Sequence, residues 1–179
     1  LIAQLYANAP DKIRGIAISF IGRGLCNAEG PVETEVLERF RVLWESRAES
    51  ARNSDSPAAY SEELKAFGSW FASGKFDDAW AIGQLREALD LVGQTEPDHM
   101  VVKRLADVAP QMPLDAVECL RRMVEGDKEG WHVRSWRKEA TAILSAGLES
   151  SDSKTRDTAE DLIHRLGARG HLYYRDLLK

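Results

Sequence analysis

Apolar residues recur along this chain at helical spacing, and nearly every such run is closed by glycine, proline or a cluster of Asn, Asp and Ser. Alternating strand patterns are essentially missing. A chain patterned in this way folds as helices whose single apolar faces must find one another. After Pro10, residues Ile13, Ile16, Ala17, Phe20 and Ile21 have the i, i+3, i+4, i+7, i+8 spacing of one buried face, and Gly22, Gly24 and Asn27 weaken and end that helix. After Pro31, residues Val36, Leu37, Phe40, Leu43 and Trp44 repeat the stripe. The run Asn53-Ser54-Asp55-Ser56-Pro57 then breaks it, so 53–60 is the expected internal linker.

The pattern continues in short steps. Leu64, Phe67, Trp70 and Phe71 predict a helix from Ser61, and Asp77 and Asp78 open another that carries Ala81, Leu85, Ala88, Leu89 and Val92. Gly93 and Pro97 separate it from the stripe Val101, Leu105, Val108 and Ala109. Beyond Pro110 and Pro113 come three further stripes, first Leu114, Val117, Leu120 and Val124, then Val133, Trp136, Ala140, Ile143 and Leu144, then Thr155, Ala159, Leu162, Ile163 and Leu166. A short tail at 172–178 closes the chain. Connections this brief force successive helices to lie antiparallel, as hairpins.

Internal similarity bears on how the hairpins are arranged. Aligning residues 10–23 with 152–165 matches Lys12 to Lys154, Arg14 to Arg156, Ala17 to Ala159 and Arg23 to Arg165, with the apolar pairs Phe20/Leu162 and Ile21/Ile163 in register. The same core recurs at Arg137, Ala140, Ile143 and Leu144, and a second alignment pairs Leu1, Ile2, Leu5, Ala9 and Pro10 with Val101, Val102, Leu105, Ala109 and Pro110. Recurrence of Arg14, Arg137 and Arg156 at one position points to pairing between repeats.

The stretch from Asp152 to Gly167, with Arg156, Ala159 and the closing Leu166-Gly167, resembles the second helix of a HEAT repeat. That resemblance implies an all-α fold of antiparallel helix hairpins stacked as an α-solenoid, here one domain over 1–179. It is good over three helices, while 32–53 fits poorly and an irregular helical array stays open. Residues 67–76 and 168–178 are also similar to the C-terminal helical region of large bacterial multidomain proteins, and the chain starts at Leu1 within an apolar pattern, so we expect a fragment of a longer polypeptide.

Composition narrows the function classes. The two cysteines, Cys26 and Cys119, match no metal-ligand spacing and are read as reduced, packed thiols, which sets a cytoplasmic location as the expectation. The apolar run Ile16-Ala17-Ile18-Ser19-Phe20-Ile21 is far shorter than a bilayer span. Histidines 99, 132, 164 and 171 form no His-x-x-x-His pair, and His164 and His171 are assigned surface or helix-end roles. Gly22 and Gly24 follow no strand and lack a Gly-Lys-Ser/Thr, so they mark a helix end and not a phosphate loop. Glu62-Glu63 and Asp77-Asp78 stand where helices start and are read as capping and dipole residues. No catalytic residue, cofactor or metal site is predicted.

Two features point to binding. Of the five tryptophans, Trp44, Trp70 and Trp136 lie on apolar stripes, whereas Trp80 and Trp131 stand near helix starts, partly exposed or packed between repeats. Charge is uneven, since 61–120 holds 5 basic against 11 acidic residues and 121–179 holds 12 against 10. Arg121, Arg122, Lys128, Arg134, Arg137 and Lys138 gather around one inter-helix turn as a candidate partner-binding patch, interleaved with Glu125, Asp127, Glu129 and Glu139. The leading expectation is a non-enzymatic protein-interaction or scaffold module, its partner another protein or another domain of the same chain. The alternatives are a nucleic-acid-binding domain like the HEAT-like alkylpurine DNA glycosylases, disfavoured by the net charge of −5, and a structural or dimerisation segment.

Overall fold

The computed structural model describes Tyr6 and residues 8–179, and over these residues the protein is all-α, with no strand. Its helices are α1 (Asp11–Asn27), α2 (Thr34–Arg52), α3 (Ser61–Ala72), α4 (Asp78–Val92), α5 (Asp98–Val108), α6 (Pro113–Gly126), α7 (Trp131–Ser135), α8 (Arg137–Leu148) and α9 (Ser153–Ala168). Two 3₁₀ segments, Pro57–Tyr60 and Leu172–Leu178, complete the described elements. None of the helices is long and apolar enough to cross a membrane. The chain divides into two compact units, Leu1–Val101 and Val102–Lys179, with the division inside α5. The run at 53–60 lies within the first unit, where it carries the Pro57–Tyr60 turn.

In the first unit α1 packs chiefly on α3, two helices further along the chain, and α3 packs on α4. Contact between α1 and α3 is set by small residues. A Cβ on Gly22 would fall 1.9 Å from Ser69 Oγ, and one on Gly15 would fall 2.7 Å from the Glu62 carbonyl oxygen. Backbones this close leave no room for large side chains. The face that α1 buries is therefore Arg14, Gly15, Ile18, Gly22 and Leu25. This overturns the sequence expectation for the helix, because Ile13, Ile16 and Phe20 are 52%, 53% and 71% exposed.

Two polar features fix the register of α1 against α3. The first turn of α3 has no side-chain cap from its own N-cap residue, Tyr60. Asp11 of α1 supplies one, accepting hydrogen bonds from the backbone N–H groups of Glu62 (2.9 Å) and Glu63 (3.1 Å). Trp70 donates its indole N–H to the Ile18 carbonyl at 2.8 Å. Around this contact Trp44 stacks on Phe67 at 4.3 Å between centroids and Trp70 on Phe76 at 5.7 Å, so Trp44 and Trp70 are core residues as their stripes predict. Trp80 is half-buried beside Phe67 and Phe76, with its N–H on Glu45.

The second unit is built on α6, α8 and α9, each packed on the other two, with the 3₁₀ tail against α9. Its core follows the sequence stripes closely. Val117, Leu120, Val124, Ile143, Leu144, Ala159, Leu162, Ile163 and Leu166 are all buried, as is Trp136. Gly147 permits the approach of α8 to its neighbours, since a Cβ there would meet Val117 and Ala159 within 3 Å.

The internal alignment has one structural counterpart. Arg14 donates to the Ala9 carbonyl in the turn before α1, and Arg156 donates to the Ser150 (2.7 Å) and Ser151 (2.9 Å) carbonyls before α9. Ala9 and Ser151 are aligned positions. The partners otherwise differ, because Arg14 pairs with Glu63 of another helix whereas Arg137 stacks on Tyr173. Leu1, Ile2 and Leu5 of the second alignment lie outside the described residues.

Candidate functional site

The candidate site is an ordered turn in the second unit with cations stacked on aromatic rings outside it. Helix α6 ends at Gly126, and Asp127 follows with its N–H on the Met123 carbonyl. Only 8% exposed, Asp127 turns its carboxylate inward, accepting from the N–H of Gly130 (3.1 Å) and of Val133 (3.0 Å). It thus caps the start of α7. Gly130 has φ 71°, a left-handed conformation that glycine adopts without strain. Arg169, just beyond α9, donates to the carbonyl of Val124 in the last turn of α6 and to that of Asp127, which also accepts the Gly130 N–H.

This scaffold separates two sets of side chains. Val133 and Trp136 point into the core at 1% and 4% exposure, whereas Trp131 is 66% exposed. The Arg134 guanidinium lies over the Trp131 ring, 5.4 Å from its centroid, and that of Arg137, at the start of α8, lies 4.3 Å from the Tyr173 centroid. Tyr173 is joined to His171 through a hydroxyl–Nδ1 contact of 3.4 Å. His171, assigned from sequence to the surface or a helix end, follows the end of α9 but is buried, close to Gly130. Burial first, then the charges of Arg134 and Arg169, lower its pKa below the ordinary histidine value, so the ring is neutral near pH 7.

The six basic residues of the sequence patch divide into two kinds. Arg121 and Arg122 both donate to Glu118, Arg121 at 2.7 Å, and Arg121 reaches Glu125 at 3.2 Å. Burial pushes the Glu118 carboxyl up, but hydrogen bonds from Arg121 and Arg122 outweigh it and hold the group below its usual value. Those two arginines are thus occupied. Lys128, Arg134, Arg137 and Lys138 are exposed and form no salt bridge among the described residues. Sequence reading missed Tyr173 and the burial of His171, because a tail without helical periodicity gives no sign that it folds back onto the start of α8.

Other polar clusters are spoken for. Glu63, 1% exposed, accepts from Tyr6 (2.6 Å), Arg14 Nε (2.6 Å) and Arg47 Nε (2.9 Å), while Arg14 and Arg47 both stack on Tyr60. A shallow groove of about 420 Å³ between α6 and α9 is lined by opposite charges, among them Glu118, Arg121, Lys154 and Asp157. No group of three His, Cys, Asp or Glu side chains among the described residues is placed to hold a metal ion, and Cys26 and Cys119 are not joined in a disulfide. No family model matches the chain, and neither the curated proteins nor the solved structures contain a match to it.

Proposed function

We propose that this chain is a non-enzymatic protein-interaction module of the HEAT-like, stacked-hairpin kind, working as part of a larger protein and binding its partner through the Trp131 surface. The exposure of Trp131 carries this reading. An indole left in water forgoes about 3–4 kcal/mol of burial energy, taking ~150 Å² at about 25 cal/mol per Å². Its neighbours Val133 and Trp136 are buried, so the turn holds Trp131 outward on an ordered support. Tryptophan and arginine are the residue types that most often dominate binding energy at protein interfaces. The equivalent hydrogen bonds of Arg14 and Arg156 to aligned carbonyls support the repeat reading at the local level.

A photo-crosslinking residue in place of Trp131, compared with the same residue at exposed Glu149, tests the proposal in extracts of the source cells. Discrete protein adducts at position 131 and not at 149 are the expected result. Equal or absent labelling at the two positions rejects the Trp131 surface as the interface.

A further inference from the structure

We infer that the Trp131 surface receives an acidic protein segment, one whose carboxylates flank an apolar side chain; this rests on the protein-interaction reading above. A guanidinium stacked on a ring uses its flat face, while its N–H donors, which lie in the plane, stay available to carboxylate oxygens. The guanidinium carbons of Arg134 and Arg137 lie over the rings of Trp131 and Tyr173, 5.4 Å and 4.3 Å from the centroids. Both residues are exposed, and neither spends a donor on a carboxylate within salt-bridge distance among the described residues.

Several other arginines are met by acids of the same chain, while Arg156 and Arg169 are met by backbone carbonyls. Glu63 serves Arg14 and Arg47, Glu118 serves Arg121 and Arg122, and Asp161 serves Arg165. At the Trp131 turn Asp127 is turned inward onto backbone N–H groups, and exposed Glu129 forms no salt bridge with Arg134 or Arg137. Lys128 and Lys138 add exposed positive charge, and Asp176 is paired with Lys179 at 2.5 Å. The result is two guanidinium groups without a direct salt bridge beside an exposed indole, with Asp176 near enough to Arg137 to act on it through space. Carboxylates match the first feature and an apolar side chain matches the second.

A nucleic acid fits less well. Its phosphates form a continuous line of charge, about one per 1.7 Å of duplex, and need an unbroken cationic track. Here Glu129, Glu139 and Asp176 interrupt the cations, and the whole chain carries −5. Separate carboxylates can sit between such interruptions.

Fluorescence anisotropy on the intact chain decides the matter with three probes, namely a short labelled peptide with a Phe-Leu pair flanked by glutamates, its all-glutamine counterpart, and a single-stranded thymidine oligonucleotide. The expected result is binding of the acidic peptide, weakened about ten-fold or more in the glutamine counterpart, in W131A and in R134E/R137E. R121Q, whose side chain is already engaged by Glu118, should stay within about two-fold of the parent. Circular dichroism shows that each variant is folded. Equal binding of the glutamine peptide, lost in W131A, overturns the acidic assignment and leaves the interaction reading standing. Preference for the oligonucleotide overturns both. No binding of the acidic peptide, or binding indifferent to W131A and R134E/R137E, overturns the acidic assignment alone, since crosslinking at position 131 still judges the interaction reading.

Discussion

Arg47 grips Glu63 with two parallel hydrogen bonds, Nε to Oε1 at 2.9 Å and Nη2 to Oε2 at 3.1 Å, where the carboxylate is 1% exposed. Arg14 and Tyr6 bind the same carboxylate, so one buried anion serves three residues through four hydrogen bonds. Removing it strands two guanidinium groups away from water. Glu63→Gln should therefore destabilise the first unit by about 3–5 kcal/mol, seen as a lower denaturant midpoint followed through Trp44 and Trp70 fluorescence. A loss below about 1 kcal/mol would show that the cluster is solvated in solution.

The same carboxylate sets an acid limit. Burial alone would raise the pKa of Glu63, but the hydrogen bonds from Arg47, Tyr6 and Arg14 win and hold it below the ordinary glutamate value of 4.5. The folded state thus releases this proton more readily than the unfolded state. Its contribution to stability is fully present above pH 4.5 and is lost as pH falls through the lower, folded value. Unfolding midpoints measured down a pH series should fall below pH 4.5 in the parent and fall less steeply in Glu63→Gln.

Gly22 and Gly24 give a matched pair two residues apart. A Cβ on Gly22 collides with Ser69, while one on Gly24 meets nothing within 4 Å. Gly22→Ala should cost about 1–3 kcal/mol by forcing α1 away from α3. Gly24→Ala should stabilise the helix by about 0.5–1 kcal/mol, because alanine has the better helix propensity. Thermal unfolding of the two variants should move in opposite directions.

Phe20 and Ile18 make a second contrast, one that reverses what hydrophobic periodicity suggests. Phe20→Ser should change stability by no more than about 0.5 kcal/mol, since the ring is 71% exposed. Ile18→Ala should cost about 2–5 kcal/mol, since Ile18 is fully buried. Equal losses in the two variants would mean that α1 is rotated about its axis relative to the arrangement described.

Asp127 organises the turn that carries Trp131. Asp127→Ala removes the acceptor for two backbone N–H groups and should destabilise the second unit by about 0.5–2 kcal/mol. Amide exchange at Gly130 and Val133 should quicken more than exchange in α9. Uniform quickening through the unit would refute a local capping role.

Helix positions were legible in this sequence because period and punctuation are local signals, and the second unit's core could be read directly from its stripes. The orientation of α1 could not. Its buried side is chosen by Gly15 and Gly22, which add no hydrophobic signal, and by Arg14, which counts as polar in any pattern. The partner that makes Arg14 buriable, Glu63, lies on another helix and looks in sequence like an N-terminal dipole residue. At the candidate site, Arg134, Arg137 and Trp131 could be listed from sequence. That Arg121 and Arg122 are consumed by Glu118 and that Tyr173 lies under Arg137 depend on side-chain geometry alone.

The setting of Trp131 also gives the protein an optical handle. Trp44, Trp70 and Trp136 are at most 4% exposed and Trp80 is half-buried, so a collisional quencher such as iodide should reach Trp131 first. Its emission, at longer wavelength than that of the enclosed indoles, reports on the turn while theirs reports on the cores. A ligand covering Trp131 would shield that emission from iodide and leave the remaining tryptophans as an internal reference, so occupancy could be followed without attaching a dye to the chain.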